Sequence, residues 1–312
     1  MDAPGETPGK HAFGWPERVA RTVLDCLVMN LSNLALVSSV ALLGIVAVGC
    51  SAKQTDAESL GTNESQLVDD STEADETDDT MESAIEEPLS GADPTDPGTP
   101  ADGVDLATVL GKIKANAGKW FQPASCVTTE LTGNVAKHLF KGCKGPYGMV
   151  DFEGTISTSY VLEGGALTVT HEASGFKANG AQIEGKRVVV YTRAGSVITK
   201  HRTGSWSGTT KKGKAFAHEA DFTVTWDAST KCITRDGTAQ TTIASREVSH
   251  TVAGYKRCGI GNLGCPESGT ITLDRTKGAK SQSVTLEFEG GRDVTITGPS
   301  GRSVTRQLVC NP

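Results

Sequence analysis

Eight cysteines are the residues of this chain whose chemistry is the easiest to assign. Cys26 lies in the N-terminal leader zone, and Cys50 directly follows the apolar run that ends this zone. The other six are Cys126, Cys143, Cys232, Cys258, Cys265 and Cys310. An even number of thiols in a domain with few aromatic residues predicts a disulfide framework, provided that the domain resides in an oxidising compartment.

The pairing of these six thiols is not fixed by their spacing, because six cysteines allow 15 combinations. A preference for short loops predicts Cys126–Cys143, Cys258–Cys265 and Cys232–Cys310, and closing a loop of about 18 residues with the first bond contributes about 3 kcal/mol. A zinc site is the alternative. The sequence has no Cys-x-x-Cys pair, however, and an oxidising compartment opposes free thiolates, so neither a metal nor a cofactor is expected.

Basic residues form a second candidate site, because a hairpin could gather them into a patch that binds anions. The candidates are Arg187, Arg193, Lys200, Arg202, Lys211, Lys212 and Lys214. The partner would be an anionic envelope polysaccharide or lipid, whereas the pattern does not favour nucleic acid. The alternative is that these residues are solvated strand faces and a lysine-rich loop that discourages edge-to-edge pairing.

Three short motifs are similar to catalytic signatures but lack a key residue. Gly204-Ser205-Trp206-Ser207-Gly208 has Trp206 where a nucleophile elbow needs serine. His171-Glu172 and His218-Glu219 lack the second histidine of a metalloprotease helix, and both lie in strand-like sequence, where neighbouring residues face opposite ways. No catalytic residue is assigned, and the sequence favours a non-enzymatic protein.

An apolar run from residue 31 to 49 ends at Cys50. Its 19 residues carry no charge and follow Arg18 and Arg21, which is the order of a basic and an apolar segment in a secretion signal. Ala47-Val48-Gly49-Cys50 resembles the lipobox of bacterial lipoproteins, in which the cysteine thiol receives a diacylglyceryl group before the leader is cut in front of it. The resemblance implies lipidation of Cys50, and Ser51 implies sorting to the outer membrane. A plain signal peptide and a retained membrane-spanning helix are the alternatives.

Charge and composition divide the chain into three zones: a leader at 1–49, the anchor cysteine and an acidic linker at 50–103, and a folded domain at 104–312. Residues 51–103 include 16 acidic residues and one basic residue, whereas residues 104–312 include 26 basic and 17 acidic residues. Few apolar residues and a high net charge predict that the linker stays disordered and extended. The linker is then either a spacer that holds the domain away from the membrane or a solvated connection with no further role.

The folded domain is predicted to be all-β with one N-terminal helix, Val104–Trp120, which has apolar residues at helical spacing. Thr alternates with large apolar residues in the predicted strands 167–170, 222–226, 271–273, 284–288 and 294–297. Turns are predicted at Gly164-Gly165, Asn179-Gly180, Ala194-Gly195, Lys212-Gly213, Asp236-Gly237, Gly290-Gly291 and Pro299-Ser300-Gly301. About ten strands in an antiparallel meander result, and a curved sheet, a sandwich and a barrel all stay open.

Three stretches of the folded domain carry a resemblance to a known group of proteins. They are Trp120–Thr129, Lys144-Gly145-Pro146-Tyr147-Gly148 and the segment from Gly254 to Gly269, with Cys258 and Cys265-Pro266 inside it. They resemble a family of predicted Gram-negative bacterial lipoproteins that have Thr-rich, Cys-containing all-β domains. The resemblance implies a lipid anchor in the cell envelope and supplies no catalytic or binding residues.

Three functions are therefore compared. The first is a cell-envelope lipoprotein with a binding or structural β domain, held at the membrane by its N-terminal lipid. The second is a β-barrel carrier of an apolar ligand, and the third is an envelope hydrolase. A filled core with a basic rim would favour the first, a closed barrel with an apolar lumen the second, and His, Ser and carboxylate groups clustered in a cleft the third.

Overall fold

The structure is a computed structural model that describes residues 105–119, 121–145, 150–244, 246–259, 265–277 and 280–308, together with Cys310. The predicted leader, the lipidation site at Cys50 and the acidic linker lie outside the described residues. The described part belongs to the third zone of the sequence, the folded domain.

A single α-helix, α1 (Leu106–Asn116), begins the described chain and is followed by a 3-10 turn at Ala117–Lys119. Asp105 caps the helix: its carboxylate accepts hydrogen bonds from the backbone N–H and the hydroxyl of Thr108, at 2.8 and 3.1 Å. A side chain that accepts from an otherwise unpaired N–H of the first turn is the ordinary reason for a helix to begin there. The predicted helix is confirmed, with shorter bounds.

The rest of the described chain forms one 13-stranded antiparallel sheet in which the strands follow one another in sequence order, with β1 and β13 at its two ends. The strands are β1 Val127–Thr132, β2 Val135–Lys144, β3 Asp151–Glu163, β4 Ala166–Ala178, β5 Ala181–Ala194, β6 Val197–Thr209, β7 Ala215–Asp227, β8 Cys232–Ile243, β9 Arg246–Cys258, β10 Pro266–Lys277, β11 Lys280–Phe288, β12 Asp293–Thr297 and β13 Ser303–Gln307. The predicted fold class, an antiparallel meander with one N-terminal helix, is confirmed as a single sheet.

One predicted turn is wrong. Asp236-Gly237 lies inside β8, at a register shift against β9, and the carboxylate of Asp236 accepts a hydrogen bond from the backbone N–H of Gly254 at 2.6 Å. Asp-Gly is a frequent hairpin turn because glycine tolerates positive φ, and a β-bulge makes the same demand. The other six predicted turns fall at connections between consecutive strands, although Ala194 of one of them is the last residue of β5.

Buried residues alternate with more exposed ones along most of the long strands, so the sheet has a buried inner face and an exposed outer face. In β4, for example, Leu167, Val169, His171 and Ala173 are buried while Glu172 is exposed. Thirteen strands laid flat would span about 60 Å, whereas the 11-residue helix is only about 16 Å long. The helix therefore cannot cover the inner face alone, and we infer that the sheet curls.

Glycines on the inner face permit this curvature. Gly185 and Gly237 have φ angles of 140° and 143°, a region that other residues rarely adopt. A Cβ atom at Gly237 would overlap the carbonyl oxygen of Asp221, and a Cβ at Gly185 would overlap that of Ser205. Glycine kinks and bulges of this kind are the usual means by which a sheet bends strongly.

Three apolar clusters fill the inner face. One packs Val109, Leu110 and Ile113 of α1 against β2–β5, and a second, rich in phenylalanine, extends over β2–β8. The third covers β7–β12 and includes Phe222 and Phe288.

The six cysteines of the described part are paired as Cys126–Cys143, Cys232–Cys258 and Cys265–Cys310. The first predicted bond is confirmed. The predicted Cys258–Cys265 and Cys232–Cys310 bonds are wrong, because β8 and β9 place Cys232 directly opposite Cys258 in their ladder. Cys310 follows β13 and reaches back to the start of β10.

Candidate functional site

The inner face contains an unusual number of buried basic and imidazole groups. Apart from Thr210 in the β6–β7 turn, the buried polar residues of the described chain are His138, Thr158, His171, Arg187, Arg202, His218, Thr241, His250, Arg257 and Arg275. This set contains four arginines, four histidines and no Asp or Glu. Buried charges are costly and are normally balanced by opposite charges nearby. Among the described residues, all the ionisable side chains of this buried polar set are basic.

The register of β5–β9 arranges the end of this face in two neighbouring rows, which together we call the two-row site. The outer row, at the ends of the strands, runs across the sheet as Arg193, Ile198, Trp226, Ile233 and Arg257. The inner row is Tyr191, Lys200, Val224, Arg235 and Tyr255. Directly paired side chains lie about 5 Å apart across strands, and the two rows are separated by about 6.7 Å along them.

The two-row site is only partly covered. Ile198, Trp226 and Ile233 of the outer row are half-buried, and so are Lys200 and Arg235 of the inner row. The residues one step deeper, including Arg202 and Phe222, are 1 % exposed. Access to the inner face is therefore greater at this end of β6–β8 than in the middle of these strands.

Arginine side chains in and beside this site stack on aromatic rings. The guanidinium carbons of Arg235 and Arg202 lie 4.3 and 5.3 Å from the centre of the Phe222 ring, and that of Arg187 lies 5.4 Å from the Trp206 ring. Cation–π contacts of this kind hold a planar guanidinium in a fixed orientation. The Nε atom of Arg235 is buried and has no hydrogen-bond partner among the described residues. Its donor capacity is therefore not fully used.

Glycines opposite these side chains make the stacking possible. Gly237 is the register partner of Phe222, and Gly204 is the partner of Arg187. A Cβ atom at Gly237 would lie 2.6 Å from Cδ1 of Phe222, and one at Gly204 would lie 3.1 Å from Cβ of Arg187. The large side chains occupy the space above the two glycines, and Gly237 both bends the sheet and leaves room for the Phe222 ring on which two arginines stack.

Burial and neighbouring positive charges both act on Arg187 in the inner face. Burial lowers the pKa of Arg187 well below its usual value, and the nearby charges of Arg202 and Arg235 lower it further. Ion pairs between exposed side chains include Lys144–Asp151, Lys177–Glu153 and Lys186–Glu172, at 3.0, 3.3 and 3.2 Å. Both partners in each of these three pairs are more than half exposed.

Three buried histidines are oriented by threonine hydroxyls. The Nδ1 atoms of His138, His171 and His218 lie 3.0, 3.1 and 2.8 Å from the Oγ1 atoms of Thr129, Thr158 and Thr241. Burial lowers the pKa of His138 to about 4. Burial also lowers the pKa of His171 to about 3, and the nearby His138 and Lys200 contribute smaller decreases. The rings of His138 and His171 are therefore neutral at pH 7. The Nε2 atoms of His138 and His171 have no hydrogen-bond partner among the described residues.

The structure divides the predicted basic patch into two groups. Arg187, Lys200 and Arg202 share the inner face, and Arg193 lies at its exposed edge. Lys211, Lys212 and Lys214 lie at the other end of the β6–β7 hairpin, about 35 Å from Lys200 along β6 at 3.3 Å per residue. A single patch made of all seven residues is not what the fold assembles.

Sequence reasoning missed Arg235 and Arg257, which complete the two-row site from β8 and β9. The available signal was the position of Arg235 two residues before Gly237, on the same face of a strand. A turn at Asp236-Gly237 would end the strand at Arg235, whereas the structure continues β8 through both residues.

The catalytic motifs considered from sequence also have clear positions. Trp206 is buried in the phenylalanine-rich cluster, and His171 and Glu172 face opposite sides of the sheet, as do His218 and Glu219. A His–Asp pair, His201–Asp221 at 2.9 Å, lies on the outer face with both side chains exposed. Of the residues described, Cys232, Cys258 and Glu267 lie close enough together to suggest a metal site, but both sulfur atoms belong to a disulfide bond.

Comparisons with protein-family models, with curated proteins and with solved structures found no match for this chain. Within the described residues, no helix combines the length and apolar character needed to cross a bilayer.

Proposed function

We propose that this protein is a lipid-anchored protein of the cell envelope whose β domain binds an anionic ligand on its inner face. The observation that carries the proposal is the charge of that face: the buried polar residues of the described chain include four arginines and no carboxylate. Three packed apolar clusters with basic residues at one strand end also fit the hypothesis of a filled core with a basic rim.

An anion on this face would lie close to several guanidinium groups. Arg187, Arg202 and Arg235 are close enough for each of the other two to lower the pKa of Arg187, and charges interact strongly where water is excluded. Guanidinium groups bind carboxylate, phosphate and sulfate groups through paired hydrogen bonds. A ligand with one such group would therefore be recognised by several cations at once.

The anchor rests on the residues around Cys50, which lie outside the described part. Lipidation of this thiol would hold the protein at the membrane surface, and several acyl chains give stable attachment where one chain does not. Replacement of Cys50 by serine should prevent acylation and release the protein from envelope membranes, as followed by intact mass and fractionation. Retention of the Cys50→Ser protein in the membrane fraction would contradict the anchor.

Anion binding is tested by thermal unfolding of the full-length chain with pyrophosphate, compared with chloride at equal ionic strength. A ligand present at 100 times its Kd stabilises the folded state by about 2.7 kcal/mol, which corresponds to an increase in Tm of about 5–10 °C for a domain of this size. Arg235→Gln should remove most of the increase. Lys211→Gln changes the same charge at the distant end of the β6–β7 hairpin and should retain it.

Two results would refute anion binding. One is a Tm that responds equally to pyrophosphate and chloride. The other is an equal loss of the response in Arg235→Gln and Lys211→Gln, because this would mean that pyrophosphate interacts with the general positive charge of the domain and not with the inner face.

A further inference from the structure

We propose that the two-row site binds an anionic amphiphile, namely a single acyl chain that ends in a carboxylate or phosphate group. This inference rests on the proposed function and narrows it to a class of ligand. The geometry that points to it is the placement of a half-buried apolar row beside a row of cations on the same face of β5–β9.

The outer row supplies the apolar contact. Ile198, Trp226 and Ile233 are consecutive register partners on three neighbouring strands, and all three are half-buried although they lie on the otherwise buried face. They extend over about 10 Å across the sheet, at about 4.8 Å between strands. Val161 is the only large apolar residue of the described chain that is classed as exposed, and it stands alone on the outer face. The outer row is therefore the apolar surface best placed to receive an acyl chain.

The cations surround this apolar row on three sides. Arg193 and Arg257 end the outer row at β5 and β9, while Lys200 and Arg235 lie one row deeper. Arg202 is deeper again and stacks on the same Phe222 ring as Arg235. An anionic head group next to the inner row would approach several donors, while its acyl chain covers the isoleucines and Trp226.

The position of the site favours a single molecule over a flat membrane surface. A membrane contacts the most protruding parts of a protein, such as loop tips, whereas Ile198, Trp226 and Ile233 lie on the inner face of the sheet and are half-buried. Arg257, at the edge of the outer row, is 6 % exposed. A separate ligand molecule can enter such a position, but a planar bilayer cannot.

The experiment measures equilibrium binding of dodecanoate, 1-dodecanol and acetate to the full-length chain in phosphatidylcholine nanodiscs, with empty nanodiscs as the blank. Dodecanoate should bind at least tenfold more tightly than 1-dodecanol, since a hydrogen bond to a charged group changes affinity by about 10- to 150-fold. It should also bind at least tenfold more tightly than acetate, because acetate lacks the acyl chain that would contact the apolar row.

Two matched pairs of variants locate the site. Lys200→Gln should weaken dodecanoate binding at least fivefold, whereas Lys211→Gln at the other end of β6 should not change it. Ile233→Ser should weaken it similarly, whereas Val161→Ser removes an exposed apolar residue of the outer face and should have no effect. Lys200 and Ile233 are only half-buried, so at least one of the two variants should retain the Tm of the parent protein.

Three other results of the binding experiments would each contradict a different part of the proposal. If dodecanoate and acetate bind equally, the acyl chain is not recognised, and anion binding alone survives. If dodecanol binds as tightly as dodecanoate, the head group is not recognised and the ligand is apolar. If neither pyrophosphate nor dodecanoate binds, both the amphiphile and the proposed function are wrong.

Discussion

Lowering the pH from 7 to 5 should destabilise the β domain, because three histidines of its inner face are buried in their neutral form. Burial lowers the pKa of His138 to about 4, and it lowers the pKa of His171 and of His250 to about 3. An exposed histidine titrates near pH 6.5. Between pH 6.5 and 4 the unfolded chain therefore binds protons that the folded domain excludes, so stability is complete above pH 6.5 and falls as the pH decreases.

The magnitude follows from these pKa values. At pH 5 each histidine that titrates at 6.5 when unfolded and below 5 when folded destabilises the domain by about 2 kcal/mol. Three such residues give about 6 kcal/mol, which is comparable to the whole stability of an ordinary domain. The titration of Asp227 lies outside the range between pH 7 and 5. Hydrogen bonds from Ser229 lower its pKa to about 2, so its contribution to the stability of the folded domain is lost only as the pH falls through about 4 and below.

Urea unfolding measured at pH 7, 6 and 5 checks this prediction. His171→Gln keeps a polar side chain that cannot take up a proton, so the loss of stability between pH 7 and 5 should be smaller by about 2 kcal/mol. His201→Gln is the control, because the His201 side chain is exposed on the outer face. A urea midpoint that does not change between pH 7 and 5, or a His171→Gln protein with the pH dependence of the parent, would refute the reasoning.

Two further predictions concern the covalent and conformational constraints of the fold. Replacing Cys126 and Cys143 together by serine should lower the free energy of unfolding by about 3 kcal/mol, because their bond closes a loop with a sequence separation of 17; an unchanged urea midpoint under non-reducing conditions would contradict this. Gly237→Ala should destabilise the domain by about 3 kcal/mol or more, since the new Cβ would overlap the carbonyl oxygen of Asp221. Gly195→Ala, also at positive φ but with no atom within 4 Å of the new Cβ, should cost only about 1 kcal/mol, and equal losses of Tm in the two variants would show that the close approach is unimportant.

Much of the candidate site was visible in the sequence as residue types but not as an arrangement. Arg187, Lys200 and Arg202 were identified from their local density, and the structure places them on one face. Lys211 has the same local density and lies at the opposite end of the hairpin. The distance between two residues along the chain does not decide which end of a strand each of them occupies. The positions of the turns and the register between strands decide it.

The pairing of β8 with β9 illustrates the same limit. It determines that Cys232 bonds to Cys258 and that Arg235 lies beside Tyr255. Neither fact can be read from spacing, because a shift of one residue in register would move every side chain of a strand to the other face.

The sequence by itself determined the all-β class, the N-terminal helix, six of the seven predicted turns and the Cys126–Cys143 bond. Each of these depends on interactions between residues close together in the chain: the alternation of Thr with apolar residues, the backbone freedom of glycine in turns and the short loop between two cysteines. Only the tertiary structure decided the number and register of the strands, the two longer disulfide bonds and the accumulation of basic groups on the inner face. These depend on which distant residues become neighbours when a thirteen-stranded sheet bends, and that is set by glycine positions and register along the whole domain.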